Sequence, residues 1–329
     1  MKKVLIIPSS GIGNFLLSIP LIEYLSRTCE TDVIIPKSVT VLAQRLKGKY
    51  FNQIITNDGS FFSLYNQISK TKYDVAYYCF PAHRNKYLLL LYFVRVNKVL
   101  GYRINRAKRR LYFLHPNFKR YSEMQNEAVM NLRLAKPDAD LDYIKKNKHK
   151  YLLSTPIQNK IKNQICLHPG AGTKGNLGQL KKWPISHWNK LIDELNKLNE
   201  IKKILILIGP AEHEVREKIK RNNRVEFIET GLTDLIEILS RSKFYIGNDN
   251  GISHLAAFCG IPSFTLFGPS NQTKNHPLFN EDKVIRKDIF CSPCQKLIGE
   301  THCNNFEYKK CLDSLYPEHV YDFIRNHLL

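Results

Sequence analysis

Short apolar runs alternate with helix-length amphipathic segments twice along this chain of 329 residues, and that rhythm limits its fold more than any other feature. In the first half the runs fall at 4–7, 32–35, 53–55, 74–78 and 98–100; in the second they fall at 164–168, 203–208, 225–228, 244–247 and 263–267. Between the later runs, 186–196, 212–220, 233–240 and 252–259 carry helical periodicity. Parallel strands cannot be joined by a tight hairpin, so each needs a crossover, and continuous apolar runs suit strands buried on both faces. The predicted class is therefore α/β. Residues 136–163 turn polar and lysine-rich, contain Pro137 and Pro156 and lose their periodicity, which predicts a linker between two domains, 1–150 and 151–329. Each is long enough to bury its own core. Ligands in such sheets bind outside the carboxyl ends of the strands, so two Rossmann-like domains facing each other would share an interdomain cleft.

Charge narrows the partners. With 50 Lys and Arg against 29 Asp and Glu, the formal net charge is +21, which favours a polyanion: nucleic acid, an anionic membrane or a phosphorylated substrate. The densest stretch, 95–120, holds Lys98, Arg103, Arg106, Lys108, Arg109, Arg110, Lys119 and Arg120 interleaved with Tyr102, Tyr112 and Phe113. A solvated face and an anionic acceptor or membrane surface both account for it. No nucleic-acid motif accompanies it, and no nucleic-acid partner is expected. The first apolar run stops at Pro8, too soon for a signal peptide, and the run at 87–94 is far below the roughly 20 residues that span a bilayer. The expected location is cytoplasmic.

Two loops carry the chemistry of the second domain. His168-Pro169-Gly170-Ala171-Gly172-Thr173-Lys174-Gly175 leaves its first strand and runs into Lys181-Lys182-Trp183-Pro184. Glycine backbone can approach a phosphate closely, helix N-termini supply N–H donors and lysine supplies charge, so this is a candidate diphosphate cradle. It lacks the spacing of a P-loop. The other loop, Asn248-Asp249-Asn250-Gly251-Ile252-Ser253-His254, opens a helix. Asp249 or Asn250 reads either as a simple N-cap or as part of a second N-terminus facing the same anion, with the His254 ring beside it.

In order along the chain, Gly11-Ile12-Gly13-Asn14 with Pro20, Tyr73-Asp74-Val75, Leu100-Gly101-Tyr102, His168-Pro169-Gly170, Lys181-x-Trp183-Pro184, Gly209-Pro210-x-Glu212, Asp249-x-Gly251-x-x-His254, Gly260-x-Pro262 and Phe267-Gly268-Pro269 resemble glycosyltransferase family nine, the lipopolysaccharide heptosyltransferases of GT-B fold. The resemblance implies inverting, metal-independent transfer from a nucleotide sugar, usually ADP-heptose, to an anionic glycolipid or oligosaccharide such as the lipopolysaccharide inner core. Peripheral association with the cytoplasmic face of the inner membrane would follow. By position, Lys181, or its neighbour Lys182, would pair with the donor phosphate, supported by Gly170 and Thr173. Glu212 would reach the nucleoside, although an acid there also suits the start of a helix. Asp249, Asn250, Gly251 and His254 would complete the diphosphate end.

Gly11, Gly13 and Asn14 would form the acceptor loop, where the family usually carries aspartate as the base. Asn14 departs from that pattern, and a carboxamide cannot accept a proton at neutral pH. Asp58, His83 and Glu127 are the substitute candidates. The departure also leaves open an Asn14 that only orients the acceptor and a non-catalytic sugar-nucleotide-binding protein, beside a nucleotide-sugar epimerase of the same architecture. Of the eight cysteines, Cys29, Cys79, Cys166 and Cys259 read as reduced core residues. Cys291-x2-Cys294-x8-Cys303-x7-Cys311 opens with a good half-site for structural zinc, but the second pair is widely spaced, and reduced thiols or disulfides remain alternatives. No cofactor is expected for catalysis.

Overall fold

The computed structural model of the protein describes residues 1–8, 11–80, 84–103, 111–122, 124–153, 163–172, 175–210, 212–296 and 301–328. The chain divides into two compact units, Met1–Tyr151 and Leu152–Leu329.

In the first unit, strands β1 (Lys2–Ile7), β2 (Cys29–Pro36), β3 (Gln53–Asn57), β4 (Val75–Tyr78), β5 (Lys98–Arg103) and β6 (Lys119–Arg120) form one parallel sheet in the order β3-β2-β1-β4-β5-β6. Register is set by apolar pairs such as Val4 opposite Val75, and Leu5, Ile7, Ile34, Ala76 and Val99 enter a core closed by Leu64, Leu88 and Leu91 from the flanking helices. The second unit repeats the plan. Strands β7 (Gln164–His168), β8 (Lys203–Leu207), β9 (Val225–Ile228), β10 (Tyr245–Asn248), β11 (Ser263–Phe267) and β12 (Val284–Arg286) run parallel in the order β12-β11-β10-β7-β8-β9. Both sheets therefore have the doubly wound order, with the chain reversing direction of travel beside β1 and β4 in one unit and beside β7 and β10 in the other. Loops at such a point splay apart and leave a crevice.

Two tryptophans fix the helices beside that crevice. Trp183 and Trp188 are fully buried and meet edge to face with ring centroids 5.1 Å apart, and the Trp183 indole donates to the Leu315 carbonyl at 2.9 Å. Burying one such ring contributes on the order of 2–3 kcal/mol. The pair anchors helix Ile185–Leu195 together with the C-terminal helix Pro317–Leu328.

Several expectations need correction. The helical pattern through Leu17 and Leu25 is two helices, Ile12–Leu16 and Ile19–Ser26, because Pro20 has no N–H to donate to a preceding turn and sits at the start of the second. Residues 136–163 are not all linker: Leu141–Lys146 and Lys148–Tyr151 are helical and bury Ile144 and Tyr151. Strands β6 and β12, two and three residues long, are too short to stand out as apolar runs and lie outside the predicted set. No described helix is long and apolar enough to cross a membrane.

Candidate functional site

The crevice of the second unit opens between the loops that follow β7 and β10. Asn248, the last residue of β10, joins them: its Nδ2 donates to the Pro169 and Gly170 carbonyls at 2.7 and 3.0 Å, and its Oδ1 accepts from the Trp183 N–H at 3.1 Å. Asn250 caps helix Gly251–Phe258, its Oδ1 accepting from Ile252 N at 2.7 Å and Ser253 N at 3.3 Å. That fixes the amide orientation, so Nδ2 is the donor to His168 Nδ1 at 3.1 Å. His168 Nδ1 must then be the acceptor, which places the ring proton on Nε2, 2.9 Å from the Glu212 carboxylate.

Glu212 closes this network. Its Oε2 accepts from His168 Nε2 and from Gly209 N at 2.9 Å, and its Oε1 accepts from Gly172 N at 3.3 Å. Burial pushes the carboxyl upward, but the His168 hydrogen bond and the two backbone N–H groups outweigh it and hold it at about 2. A Cβ at Gly170 would lie 1.8 Å from Glu212 Oε1, so any other residue there would push the carboxylate out of this position. Gly172, at φ +62°, occupies the left-handed region. Both glycines thus serve the approach of this loop to the carboxylate. The carboxylate ties the loop after β7 to the loop after β8.

Lys181 and Asp249 form the charged centre. Both are buried, and the ammonium lies 2.7 Å from Asp249 Oδ2. Burial raises the Asp249 carboxyl, yet the Lys181 charge and hydrogen bond bring it below its ordinary value. His254, one turn into helix Gly251–Phe258, is buried beside them, and burial lowers it to about 4, so it is neutral at pH 7. Its Nδ1 has no hydrogen-bond partner among the described residues. Lys182 faces elsewhere, 2.8 Å from Glu214 and partly exposed. Of the two adjacent lysines, Lys181 is the one buried beside the loop that follows β10. Thr173 lies outside the described residues. His168 and Asn248 were given no role from sequence, although both stand in the quoted motifs.

In the first unit, Gly11 opens helix Ile12–Leu16 at φ +106°, with Gly13 and the half-buried Asn14 in its first turn. Helix Glu127–Arg133 is tied to this region by Asn131, which donates to Leu17 O at 3.2 Å and accepts from Phe80 N at 2.8 Å. Glu127 is buried one turn before Asn131. Asp58 is exposed in the loop after β3, at the outer edge of the sheet, and its carboxylate accepts from Ser60 N at 2.9 Å. His83, Arg106, Lys108, Arg109 and Arg110 lie outside the described residues.

All eight cysteines are free thiols. Cys291 Sγ accepts from Asn305 Nδ2 at 3.2 Å and Cys303 Sγ from Lys309 N at 3.3 Å, while Cys311 is buried. Among the described residues no group of three or more His, Cys, Asp or Glu side chains is placed to hold a metal ion. Burial and the neighbouring thiols of Cys303 and Cys291 raise Cys294, and burial together with Cys294, Cys291 and Cys303 raises Cys311, so the four cysteines lie near one another.

Comparison with known proteins agrees with this geometry. The family described as Glycosyltransferase family 9 (heptosyltransferase) matches residues 39–302. Lipooligosaccharide heptosyltransferase 2 of Campylobacter jejuni is 27% identical over 188 residues, 53% of this chain and 56% of that protein. The chain thus spans about half the length of the curated relatives of this kind that it matches. Among solved structures, E. coli ADP-heptose lps heptosyltransferase II superposes with a TM-score of 0.72 at 20% identity, covering 100% of this chain and 98% of that one. E. coli heptosyltransferase WaaC with ADP-2-deoxy-2-fluoro heptose gives 0.71 at 18% identity, covering 99% of each. These two share its fold, and the family match runs through both units: the chain belongs to glycosyltransferase family 9.

Proposed function

We propose that the protein is an inverting glycosyltransferase that moves a heptose from ADP-heptose onto the inner core of a lipopolysaccharide or lipooligosaccharide, with the second unit binding the donor and the first the acceptor. The observation that carries this reading is the buried Lys181 ammonium, held 2.7 Å from Asp249 at the start of helix Gly251–Phe258, in the crevice where β7 and β10 part. A donor diphosphate entering there would compete with Asp249 for Lys181 and meet the helix N-terminus, with His254 Nδ1 available to it. The acceptor hydroxyl attacks the anomeric carbon as the bond from that carbon to the diphosphate breaks on the opposite face. The hydroxyl proton passes to a base of the first unit, and the departing nucleoside diphosphate carries away the electron pair. Lys181 and the backbone N–H groups meet the growing charge, which is how such a transfer proceeds without a metal. Glu212 and His168 hold the donor loops in shape rather than reach the nucleoside. Work at the cytoplasmic face of the inner membrane fits an intracellular sugar nucleotide and a lipid-borne acceptor.

A second reading follows from Asn14, which stands where the family usually has its base: a protein that binds the sugar nucleotide without transferring it. Calorimetric titration with ADP, UDP, GDP and CMP, then a transfer assay with ADP-heptose and a truncated core acceptor, separates the two. Selective ADP binding with transfer is expected. Binding without transfer favours the second reading, and no nucleotide binding overturns both.

A further inference from the structure

His254 is a buried imidazole kept neutral by surroundings that a bound diphosphate would reverse. The residue is 5% exposed, and its Nδ1 has no hydrogen-bond partner among the described residues. It stands one turn into helix Gly251–Phe258, where the helix dipole makes an added positive charge unfavourable. The charged and titratable groups facing it come from three elements: Asp249 from the loop after β10, His276 from the turn after helix Gln272–Asn275, and Lys181 from the end of helix Asn176–Lys181. His276 donates from Nδ1 to the Pro277 carbonyl at 3.3 Å. Asp249 favours the imidazolium, but its Oδ2 already serves Lys181 at 2.7 Å, so burial, His276 and Lys181 prevail and hold the ring at about 4.

Counting charge shows what a ligand changes. In the free crevice one ammonium faces one carboxylate. A nucleotide sugar brings two phosphate diesters, hence two more negative charges, of which Lys181 can answer one while Asp249 stays ionised beside it. A further negative charge develops as the bond to the anomeric carbon breaks. One opposite charge within about 4–6 Å moves a pKa by roughly 1–3. Two such charges carry the imidazole from about 4 back to its ordinary 6.5 or beyond.

We propose that His254 takes up one proton from solvent when a nucleoside diphosphate sugar binds, so that its imidazolium joins Lys181 as the second cation of the donor site, and returns that proton when the nucleoside diphosphate leaves. The proposal rests on the donor reading above and deepens it, since the charge that stabilises the leaving group is then partly assembled by the ligand itself. The test is calorimetry of the full chain with ADP-heptose and no acceptor, at pH 5.5 in two buffers of different ionisation enthalpy, which counts the protons exchanged. The sugar nucleotide is the probe because its diester phosphates do not titrate near neutrality, whereas a terminal phosphate does, at about 6. Uptake close to one proton is expected. A group whose pKa is higher in the complex tightens binding as the pH falls, so affinity should rise about tenfold from pH 7.5 to 5.5. His254→Asn should bind with neither the uptake nor the rise, and His276→Asn should keep both. If His254→Asn binds too weakly to titrate, the histidine Cε1 resonances of the parent from pH 5 to 8 give the same answer: one ring should stay neutral without ADP-heptose and titrate with it. Binding without proton uptake, or uptake that survives in His254→Asn, overturns the proposal and leaves the donor reading standing; absence of binding removes both.

Discussion

Glu212→Gln tests whether the donor loops are held by charge. The substitution keeps the size of the side chain but replaces an acceptor oxygen with an NH2 group, and in the parent all three surrounding groups are donors: His168 Nε2, Gly209 N and Gly172 N. The least costly orientation turns the carbonyl toward His168 and Gly209 and sets the NH2 against Gly172 N, so one donor faces another and two charged bonds become neutral. A carboxyl held at about 2 rather than 4.5 has its charged form favoured by about 3 kcal/mol, an upper bound for the loss. Hydrogen bonds to a charged group, at roughly 1.5–3 kcal/mol each against about 1 for neutral ones, give a similar figure. The variant should therefore lose about 2–3 kcal/mol, lowering the melting temperature of the second unit by about 4–10 °C. The pH dependence has a defined sign. Because the folded carboxyl titrates below its unfolded value, its contribution is complete above about 4.5 and is lost as the pH falls toward about 2. Urea denaturation of parent and variant across that range should show the parent approaching the variant in acid. A variant as stable as the parent at pH 7, yet weaker for ADP, would refute the locking argument and return Glu212 to the nucleoside.

Lys181→Ala should lower ADP affinity at least tenfold and cost about 3–5 kcal/mol, since Asp249 is left buried without its partner; Lys182→Ala, whose Glu214 partner is half exposed, should change stability by less than about 1 kcal/mol and leave ADP binding intact. Equal losses in the two titrations would sink the assignment to Lys181. His254 is held at about 4 against an ordinary 6.5, so the unfolded chain binds the proton first and its neutral burial becomes a growing liability as the pH falls from 6.5 toward 4. His254→Asn should flatten the stability profile in that window alone, and an unchanged slope in acid titration would contradict the burial argument. If Glu127 is the base that replaces the family's aspartate, Glu127→Gln should abolish transfer while Asn14→Asp preserves or raises it; transfer kinetics unchanged in Glu127→Gln would remove it from the reaction.

What the sequence discloses and what it hides follow from the range of the interactions. Strands buried on both faces of a parallel sheet need continuous apolar runs, so residues 164–168 and 203–208 announce β7 and β8. Lys119–Arg120 and Val284–Arg286 sit at sheet edges, where one neighbour suffices and no such run is required. The Asn250 cap is legible for the same reason, its acceptor and its two N–H donors lying within three residues. The rest of the donor site is built across distance. His168 meets Glu212 over 44 positions, and Lys181 meets Asp249 over 68. Adjacent Lys181 and Lys182 are chemically identical in sequence; one is buried because helix Asn176–Lys181 ends facing β10, the other turns toward the helix of Glu214. Glu212 at a helix start looks like an acid favoured by the macrodipole, and it becomes a loop lock only because Gly170 lacks the Cβ that would occupy its carboxylate. The glycines that suggested a phosphate cradle thus have a prior task, shaping the loop around an internal anion, Glu212. A second internal anion, Asp249, holds Lys181 nearby. Two fixed carboxylates hold these loops in a formed state, and on the proposed reading the one beside Lys181 would have to yield to a diphosphate, so that donor affinity would report a competition between two anions for one lysine.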